Sequence, residues 1–450
     1  MQVTSSPASP QNVTGKGESA GWGNGRLLPT IESTRTPHSG YHFDGSSRRF
    51  FEGWYFRVSI PEVRQSFAFM YSIEDPAGRP ASLLSLGDKH RFSAAGAQIL
   101  GPDDEYICQY ETDVSRFWAS KRDLSLGNTF RATPAYQGRE PLDGPTSTAD
   151  FSARVADGFQ ITPTFHQGHI RHNNQPPNGL EEWRIVPEVS WDYQIRPIYG
   201  WGDTGAPQKA TAGWLAALPV FEPHWQVNLA HGLASGWLQW GERRFVFQNA
   251  PAYAEKNWGG AFPLRWFWVQ CNVFNETDDL AITAGGGRRG LPLLPDVSEE
   301  VAMLGVHHQG RHYEFIPWVE DGSVSWEIEP WGRWHMTGKR ADYEIEILAT
   351  TSEAGCVLRA PTVDKGLAPF CRDTFFGQLE LTIWERKGKM RGKVIVHATS
   401  SMCALEVGGG PWWQTWKKTA RYEEPVRSLM DLPLGNVLQA IPPNLQPPGL

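Results

Sequence analysis

The first residue that could do chemistry is a carboxylate inside an aromatic segment, "FFEGWYFRVSI" at residues 50–60. Alternation along a strand places Glu52 on the same face as Trp54 and other large apolar side chains. An ionisable group in such a place has two explanations. It is either a buried carboxylate paired with a nearby arginine, such as Arg48 or Arg57, or an acid whose proton is kept for chemistry in a dry pocket.

A second carboxylate of interest lies in "AYAEKNWGG" at residues 252–260. If this segment is extended, Tyr253, Glu255 and Asn257 project to one side. Such a row can orient a carboxyl proton through hydrogen bonds while aromatic walls keep water out. The alternative is a strand end stabilised by a pair between the glutamate and a cation, followed by an asparagine turn. The residues alone leave both explanations open.

The two segments together favour one kind of chemistry. Each carboxylate has a tryptophan and a tyrosine beside it: Trp54 and Tyr55 near Glu52, Tyr253 and Trp258 near Glu255. No pair of a nucleophile and a base stands out. The pattern therefore indicates acid chemistry on an apolar substrate, such as protonation of an alkene, with the resulting carbocation stabilised by the π-faces of tryptophan rings.

Composition bounds the function classes. A chain of 450 residues with 40% hydrophobic and 20% charged residues predicts a globular protein of two domains. A net charge of −7 argues against nucleic acid as a partner. Five cysteines without a CxxC pair are typical of a reducing compartment, and no apolar run is long enough for a spanning helix. The 21 tryptophans indicate an apolar cavity, a lipid–water interface or simply a tryptophan-rich core.

Familiar cofactor and metal motifs give no support. "GGGRRG" at 285–290 has no helix and no downstream acid to make it a dinucleotide or phosphate site, so we interpret it as a loop. Histidines cluster in "HQGHIRH" (166–172) and "VHHQGRH" (306–312) without a carboxylate or cysteine at ligand spacing. We expect solvated loop histidines there, with loop-bound zinc as the alternative, and we predict neither a metal nor a cofactor.

The elements that must position these residues are strands. Short alternating or apolar runs separated by Gly, Pro, Asp and Asn fill most of the chain, which predicts an all-β fold of barrels or sandwiches. Short helices are expected only near 115–124 and 425–440. We predict a disordered tail at 1–35, an N-terminal β domain at 36–258 and a C-terminal β domain at 259–450.

Four long segments resemble the tocopherol cyclase family: "TPHSGYHFDGSSRRFFEGWYFRVSIPE" (36–62), "SFAFMYSIEDP" (66–76), "YAEKNWGGAFPLRWFWVQCN" (253–272) and "ALEVGGGPW" (404–412). The resemblance extends from about residue 36 to the last residues. The family is more distantly similar to carotenoid hydratases and lipocalin-like β-proteins. The resemblance implies two lipocalin-like β-barrel or sandwich domains, with the active cavity in or beside the N-terminal one.

The resemblance also implies a reaction. A prenylated benzoquinol, of the dimethyl-phytyl-benzoquinol type, adds its phenol oxygen across the first double bond of its side chain and forms the chromanol ring of vitamin E. This is an isomerisation that needs no cofactor and no metal. Because the substrate dissolves in lipid, the resemblance implies a peripheral protein on a thylakoid, plastoglobule or other plastid lipid surface. Two alternatives remain: a carotenoid or isoprenoid hydratase, and a non-catalytic carrier of prenyl lipids.

The similarity to hydratases assigns roles. Those enzymes carry a stretch of the kind Tyr-x-Asp-x-Asn-Trp-Gly, which here reads "YAEKNWG" (253–259) with glutamate in place of aspartate. By analogy, Glu255 is the first candidate for the general acid, oriented by Tyr253 and Asn257. Glu52 is the second candidate, either sharing the proton or anchoring the substrate hydroxyl at the mouth of the same cavity.

Ten residues are expected to contact the substrate: His38, His42, Asp44, Trp54, Tyr55, Lys256, Trp258, Trp266, Trp268 and Gln270. The four tryptophans are expected to line the pocket and stabilise the cation. Residues 266, 268 and 270 share one strand face and could form a wall together. The residues at 38, 42 and 44 could accept the phenol proton, or they could serve only to cap a turn.

Overall fold

The structure, a computed structural model, describes residues 12–14, 35–77, 93–173, 185–213, 222–291, 294–362 and 366–422. Within these residues nearly all regular structure is β. One seven-residue helix, α1 (Thr148–Arg154), begins where the Ser147 side chain accepts a hydrogen bond from the Asp150 backbone amide. No helix of the described part combines the length and the apolar character that a membrane-spanning helix needs.

The first of two sheets holds twelve of the described strands and is assembled from the N-terminal part of the chain. The strands are β1 Asn12–Thr14, β2 Phe51–Ile60, β3 Gln65–Glu74, β4 Ala94–Leu100, β5 Tyr106–Glu111, β6 Phe117–Ala119, β7 Leu126–Ala132, β8 Val155–Thr162, β9 Phe165–Arg171, β10 Glu188–Tyr199, β11 His224–Trp240 and β12 Arg243–Gly259. Their order across the sheet is 5-4-3-2-12-11-10-9-8-7-6, with β1 beside β12. The two strands with the candidate glutamates, β2 and β12, are therefore hydrogen-bonded neighbours.

The second sheet holds eleven of the described strands. They are β13 Arg265–Cys271, β14 Leu280–Leu291, β15 Leu294–His308, β16 Arg311–Phe315, β17 Ser323–Ile328, β18 Arg333–Lys339, β19 Tyr343–Thr350, β20 Cys356–Thr362, β21 Gly366–Lys387, β22 Met390–Gly409 and β23 Trp416–Ala420. The order is 16-15-14-13-22-21-19-18-17-23, with β20 on β21. Strand β13 lies between β14 and β22.

Each sheet curls around its own core of alternate inward-facing side chains. In the first sheet the ring of Tyr71 on β3 lies 4.3 Å from the ring of Phe159 on β8, although these strands are far apart in the sheet. In the second, the ring of Phe267 on β13 lies 5.6 Å from that of Trp416 on the edge strand β23. The prediction of an all-β chain with two barrel-like units and few short helices is confirmed. The domain boundary at 258/259 stays a prediction.

Three local expectations are wrong: a helix at 115–124, a loop at 285–290, and solvated loops for the histidine clusters. Residues 115–124 form no helix, because Phe117–Ala119 pairs with β7 and Ser120 then closes a turn. The glycine-rich segment 285–290 lies in β14 and is not a loop. A methyl group at Gly286 would lie 2.6 Å from the Phe267 ring, so the glycine lets that ring pack against the strand.

The histidine clusters are also not solvated loops. His166 on β9 and His307 on β15 are buried, and each stacks on a tyrosine ring at 4.8 and 4.6 Å respectively. Alternation along the strands carries both rings inward. No group of three or more His, Cys, Asp or Glu in the described part is arranged to hold a metal ion. The second predicted helix, 425–440, lies outside the described residues, and in the predicted disordered tail residues 12–14 form β1.

The two sheets meet through a third set of buried side chains. One arginine of the first sheet is hydrogen-bonded to two strands of the second. Arg57 on β2 is 1% exposed and donates to the Gln270 side chain on β13 at 2.8 Å and to the Met402 carbonyl on β22 at 2.7 Å. It also donates to Ser66 at 3.0 Å, and its guanidinium lies 5.0 Å from the centre of the Phe375 ring. A buried guanidinium is stable only with this many partners.

Replacing Arg57 with methionine keeps the apolar stem and leaves those buried acceptors without donors. We expect Arg57→Met to lower the free energy of unfolding by about 3 kcal/mol or more. Urea unfolding followed by tryptophan fluorescence measures this. The matched control is Arg391→Met, since Arg391 is half-exposed and pairs with Glu344 and Glu346 inside one sheet. It should cost less than about 1 kcal/mol. Equal effects of the two variants would contradict the conclusion that Arg57 holds the two sheets together.

Candidate active site

A cavity of about 220 Å³ lies where the two sheets meet. Strands of the first sheet supply one wall and strands of the second sheet supply the other. Most of the lining is apolar or aromatic, and its rings include Tyr55, Trp225, Phe262, Trp266 and Trp268. Two carboxylic acids also border it, Glu255 from β12 and Glu406 from β22. An apolar pocket with a few convergent polar groups is the usual form of a small-molecule site.

Glu255 is held in one orientation by three donors. Its Oε2 accepts hydrogen bonds from the Tyr253 hydroxyl at 2.6 Å, from Trp225 Nε1 at 2.8 Å and from Trp268 Nε1 at 3.0 Å. Two of the donors belong to the first sheet and the third to the second. Because these donors occupy the lone pairs of Oε2, a proton on this carboxyl group resides on Oε1. The carboxyl group thus has one bound oxygen and one that is free to transfer a proton.

Burial and hydrogen bonding act on the acidity of Glu255 in opposite directions. Removal from water disfavours the carboxylate and raises its pKa from 4.5 to about 7, while the bonds from the tyrosine and the two indoles partly offset this. Near neutral pH the protonated and ionised forms therefore coexist. An acid whose pKa lies near the working pH suits general acid catalysis.

Glu52 lies on the opposite face of the first sheet. In the pairing of β2 with β12, Tyr55 is opposite Glu255, whereas Glu52 is opposite Trp258, three positions away. Directly opposed residues share a face, and an odd step along a strand changes it. Glu52 is fully buried and does not border the cavity. The structure therefore does not place the two glutamates in a shared site.

Glu52 instead belongs to a charged cluster within the first sheet's core. It is ion-paired with buried Lys256 and accepts a hydrogen bond from the His42 backbone amide at 2.8 Å. The His42 ring stacks on Trp258 at 3.8 Å, and burial keeps its pKa well below the ordinary value. His38 is 3.2 Å from the same imidazole. None of the five residues of this cluster, all of them predicted site residues, lines the cavity.

Of the remaining residues that were predicted to contact the substrate, some line the cavity and others do not. Tyr55, Asn257, Trp266 and Trp268 line the cavity, and Trp54 borders it while its ring packs beside Tyr41 in the first core. Gln270 is turned to Arg57 and does not line it. Asp44 is exposed and accepts a hydrogen bond from the Ser46 amide at 2.8 Å, which is the turn-capping alternative.

The face predicted to carry Tyr253, Glu255 and Asn257 exists, since residues 253 and 255 are hydrogen-bonded and 255 and 257 both line the cavity. No hydrogen bond joins Asn257 to Glu255 within the described residues. Of the two predicted partners, only Tyr253 is hydrogen-bonded to this carboxyl group.

Two residues of the cavity, Trp225 and Glu406, were not among the predicted site residues. Trp225, in "EPHWQVNLA", lies in β11 opposite Asn257 and its indole reaches Glu255 diagonally. Glu406, in "ALEVGGGPW", lies opposite Trp268 and accepts a hydrogen bond from Trp266 Nε1. The second segment had been noticed only for its resemblance. A carboxylate two residues before a glycine run was the available signal.

Comparison with known proteins gives a consistent family. Residues 48–409 match the family model described as tocopherol cyclase-like. The chain is 50% identical over 430 residues to the chloroplastic tocopherol cyclase of Zea mays, covering 94% of this chain and 88% of that protein. It is 49% identical, with the same coverage, to the probable chloroplastic tocopherol cyclase of Oryza sativa subsp. japonica.

Solved structures resemble the chain only remotely. Kievitone hydratase from Nectria haematococca is 10% identical, with 86% of this chain and 98% of that chain covered and a TM-score of 0.41. A likeness of this degree says nothing about chemistry.

The raised pKa of Glu255 has a measurable consequence for stability. The unfolded chain releases this proton near 4.5, whereas the folded protein holds it to about 7. Between these values the folded state binds more protons, so the free energy of unfolding falls as pH rises. Glutamine does not titrate, so Glu255→Gln lacks this pH-dependent decrease in the free energy of unfolding. Between pH 4.5 and about 7, the free energy of unfolding of the variant should therefore rise by about 3 kcal/mol relative to that of wild type. Urea unfolding at several pH values measures it. A difference that does not change with pH would contradict the assignment.

Proposed function

The chain belongs to the tocopherol cyclase-like family, and from that premise we propose that it is a tocopherol cyclase. It converts a phytylated benzoquinol into a chromanol by adding the phenol oxygen to the first double bond of the prenyl chain. The observation that carries this is the combination of about half-identity along most of the chain with a protonatable glutamate in an aromatic cavity.

The substrate class follows from the relatives' names and suits the cavity. A prenylated benzoquinol of the dimethyl-phytyl-benzoquinol type has a flat ring, two hydroxyls and a long apolar chain. The indole and phenol rings of the cavity offer flat apolar surfaces to the ring and to the first isoprene unit. Because both reacting groups belong to one molecule, holding them in a reactive geometry supplies much of the acceleration.

The acid step uses Glu255. Its Oε1 gives a proton to the less substituted alkene carbon, and positive charge develops on the tertiary carbon. The phenol oxygen bonds to that carbon and gives its proton to a base, and Glu255 regains a proton before the next cycle. A C–H and a C–O bond form, while the alkene π bond and the O–H bond break. The atoms balance without an oxidant, a reductant or another co-reactant, so the proposed reaction needs no cofactor.

The surrounding rings assist at both ends of the proton transfer. As the proton leaves, negative charge grows on Glu255, and the donors from Trp225, Tyr253 and Trp268 are already directed at its Oε2. The carbocation is stabilised by π-faces nearby, among them the rings of Trp268 and Tyr55, whose centres lie 5.2 Å apart. The apolar walls exclude the water that would otherwise capture the cation.

The central test is turnover of dimethyl-phytyl-benzoquinol by purified protein in D2O. Wild type should form chromanol with one deuterium on the carbon that received the proton. Glu255→Gln should bind the quinol but turn it over about 10²–10⁴-fold more slowly, since it has no proton to deliver. The matched control is Glu188→Gln, an exposed glutamate of the same sheet, which should keep the wild-type rate.

The outcomes separate the alternatives. A product heavier by one water identifies a hydratase. Binding of the quinol without conversion by wild type identifies a carrier. If Glu255→Gln forms chromanol at the full rate, the cyclase proposal stands but Glu255 is not the acid.

The proposal includes peripheral attachment to a thylakoid or another plastid lipid surface. The maize and rice relatives carry "chloroplastic" in their names. We define the apolar rim as three exposed side chains whose chain neighbours adjoin the cavity or Leu264. Leu264 (49% exposed) follows the lining residue Pro263, Phe370 (37%) precedes the lining residue Cys371, and Trp413 (88%) lies three residues after Gly410. The Gly410 amide donates to the Leu264 carbonyl at 2.9 Å, and Phe370 packs at 5.8 Å from Trp266 of the cavity. A substrate could pass from lipid into the cavity through this rim.

The apolar rim predicts where the protein meets lipid. Replacing Leu264, Phe370 and Trp413 together with serine should weaken binding to phosphatidylcholine–phosphatidylglycerol vesicles by more than about tenfold, since each large apolar side chain contributes roughly 1.5–3 kcal/mol when buried. Co-sedimentation measures it. Met390→Ser is the control, because Met390 is 71% exposed at the far end of β22. Equal loss in the control, or none in the triple variant, would contradict this rim.

A further inference from the structure

A second acid in the cavity has no role in the proton delivery described above. Glu406 on β22 borders the cavity from the second sheet, whereas Glu255 reaches it from the first. Trp266 donates its indole N–H to Glu406, and Trp268, two residues along the same face of β13, donates its indole N–H to Glu255. The two carboxyl groups are therefore held from one strand by equivalent contacts.

The reaction also needs two proton transfers, not one. Once the C–O bond has formed, the former phenol oxygen carries a proton and a positive charge, and this proton must leave. Glu255 is then a carboxylate on the wall that protonated the alkene, bound through Oε2 to its three donors. A second carboxylate on the facing wall, Glu406, can take the phenolic proton at this stage.

We propose that Glu406 is the base that accepts the phenolic proton, so that Glu255 and Glu406 act as an acid–base pair across the cavity. This inference rests on the proposed cyclisation. Protonated Glu255 loses its proton to carbon, and ionised Glu406 gains the proton of the phenol. After the chromanol leaves, Glu406 returns a proton to solvent and Glu255 takes one up, so the protein is unchanged over a cycle.

The charged and titratable groups around Glu406 influence its ionisation. The titratable side chains that face it are Glu255 on β12, Tyr55 on β2, and Asp373 and Cys371 on β21, and the cations Arg289 and Arg359 also border the cavity. Asp373, opposite Glu406 in the sheet, is completely buried. Burial and the nearby Glu406 raise the pKa of Asp373 well above its usual range, although Arg57 opposes this. Asp373 therefore binds its proton more firmly than an ordinary aspartate, so ionisation of Glu406 is favoured over ionisation of Asp373.

Glu406 and Glu255 also influence each other. Burial raises the pKa of Glu406, and the charge of Glu255 raises it further. Because two ionised carboxylates are unfavourable in this apolar space, the pair tends to hold one proton near neutral pH. The three donors to Glu255 favour the form with the charge on Glu255 and the proton on Glu406. The reactive form is the other one-proton form, with the proton on Glu255 and the charge on Glu406, where the Trp266 N–H stabilises it.

The test is the pH dependence of kcat for chromanol formation by wild type, Glu406→Gln and the control Glu380→Gln, an exposed glutamate on β21. Wild type should give a bell, since acid protonates the base and alkali ionises the acid. Glu406→Gln should lower kcat by about 10²-fold or more and remove the acidic limb, with quinol binding within a few-fold of wild type. Glu380→Gln should reproduce the wild-type bell.

Other results overturn the inference in distinguishable ways. A Glu406→Gln enzyme that keeps the acidic limb, or turns over within about threefold of wild type, shows that Glu406 is not the base. If this variant does not fold, as judged by near-ultraviolet circular dichroism, Glu406→Asp replaces it. That variant should keep the acidic limb at a reduced rate, and a profile without the limb counts against the inference. If wild type forms no chromanol, the cyclase proposal fails first.

Discussion

The site depends on a carboxylic acid whose pKa is held at about 7 by two opposing effects. Burial between the sheets disfavours the ionised form of Glu255, and three hydrogen bonds to its Oε2 favour it. If burial acted alone, the group would hold its proton too firmly to transfer it. If the donors acted in water, the group would be fully ionised at neutral pH. The balance requires that Tyr253 and Trp225 from one sheet, and Trp268 from the other, converge on one atom.

That convergence explains why the cavity lies between two sheets. Within one curled sheet the inward face is filled by its own core, as the contact of Tyr71 with Phe159 shows. Only the outward face of β12 is free to meet a second sheet, and β13 brings two indoles to it. Arg57 fixes the separation of the sheets through bonds to Gln270 and Met402. A looser junction would admit water and lower the pKa of Glu255.

The sequence was informative where the signal was local. Period-2 alternation predicted the β class and put Tyr253, Glu255 and Asn257 on one face. Pairing between distant strands was not predictable in this way. The role of Glu406 depends on β22 lying beside β13, strands that are separated by more than a hundred residues. Likewise, local alternation cannot tell that Glu52 and Glu255 lie on opposite faces, because that depends on the register of β2 against β12.

This register also explains why Glu255 borders the cavity and Glu52 does not. Lys256 follows Glu255 in the sequence, yet its side chain points to the other face and forms an ion pair with Glu52. Burial raises the pKa of Glu52, and the buried ammonium group of Lys256 opposes this rise by favouring the carboxylate. On the face of Glu255 the neighbours are neutral indoles and a phenol, which donate hydrogen bonds without a full charge. Shifting β12 by one residue would exchange these surroundings and would place an ion pair where the reaction needs a proton.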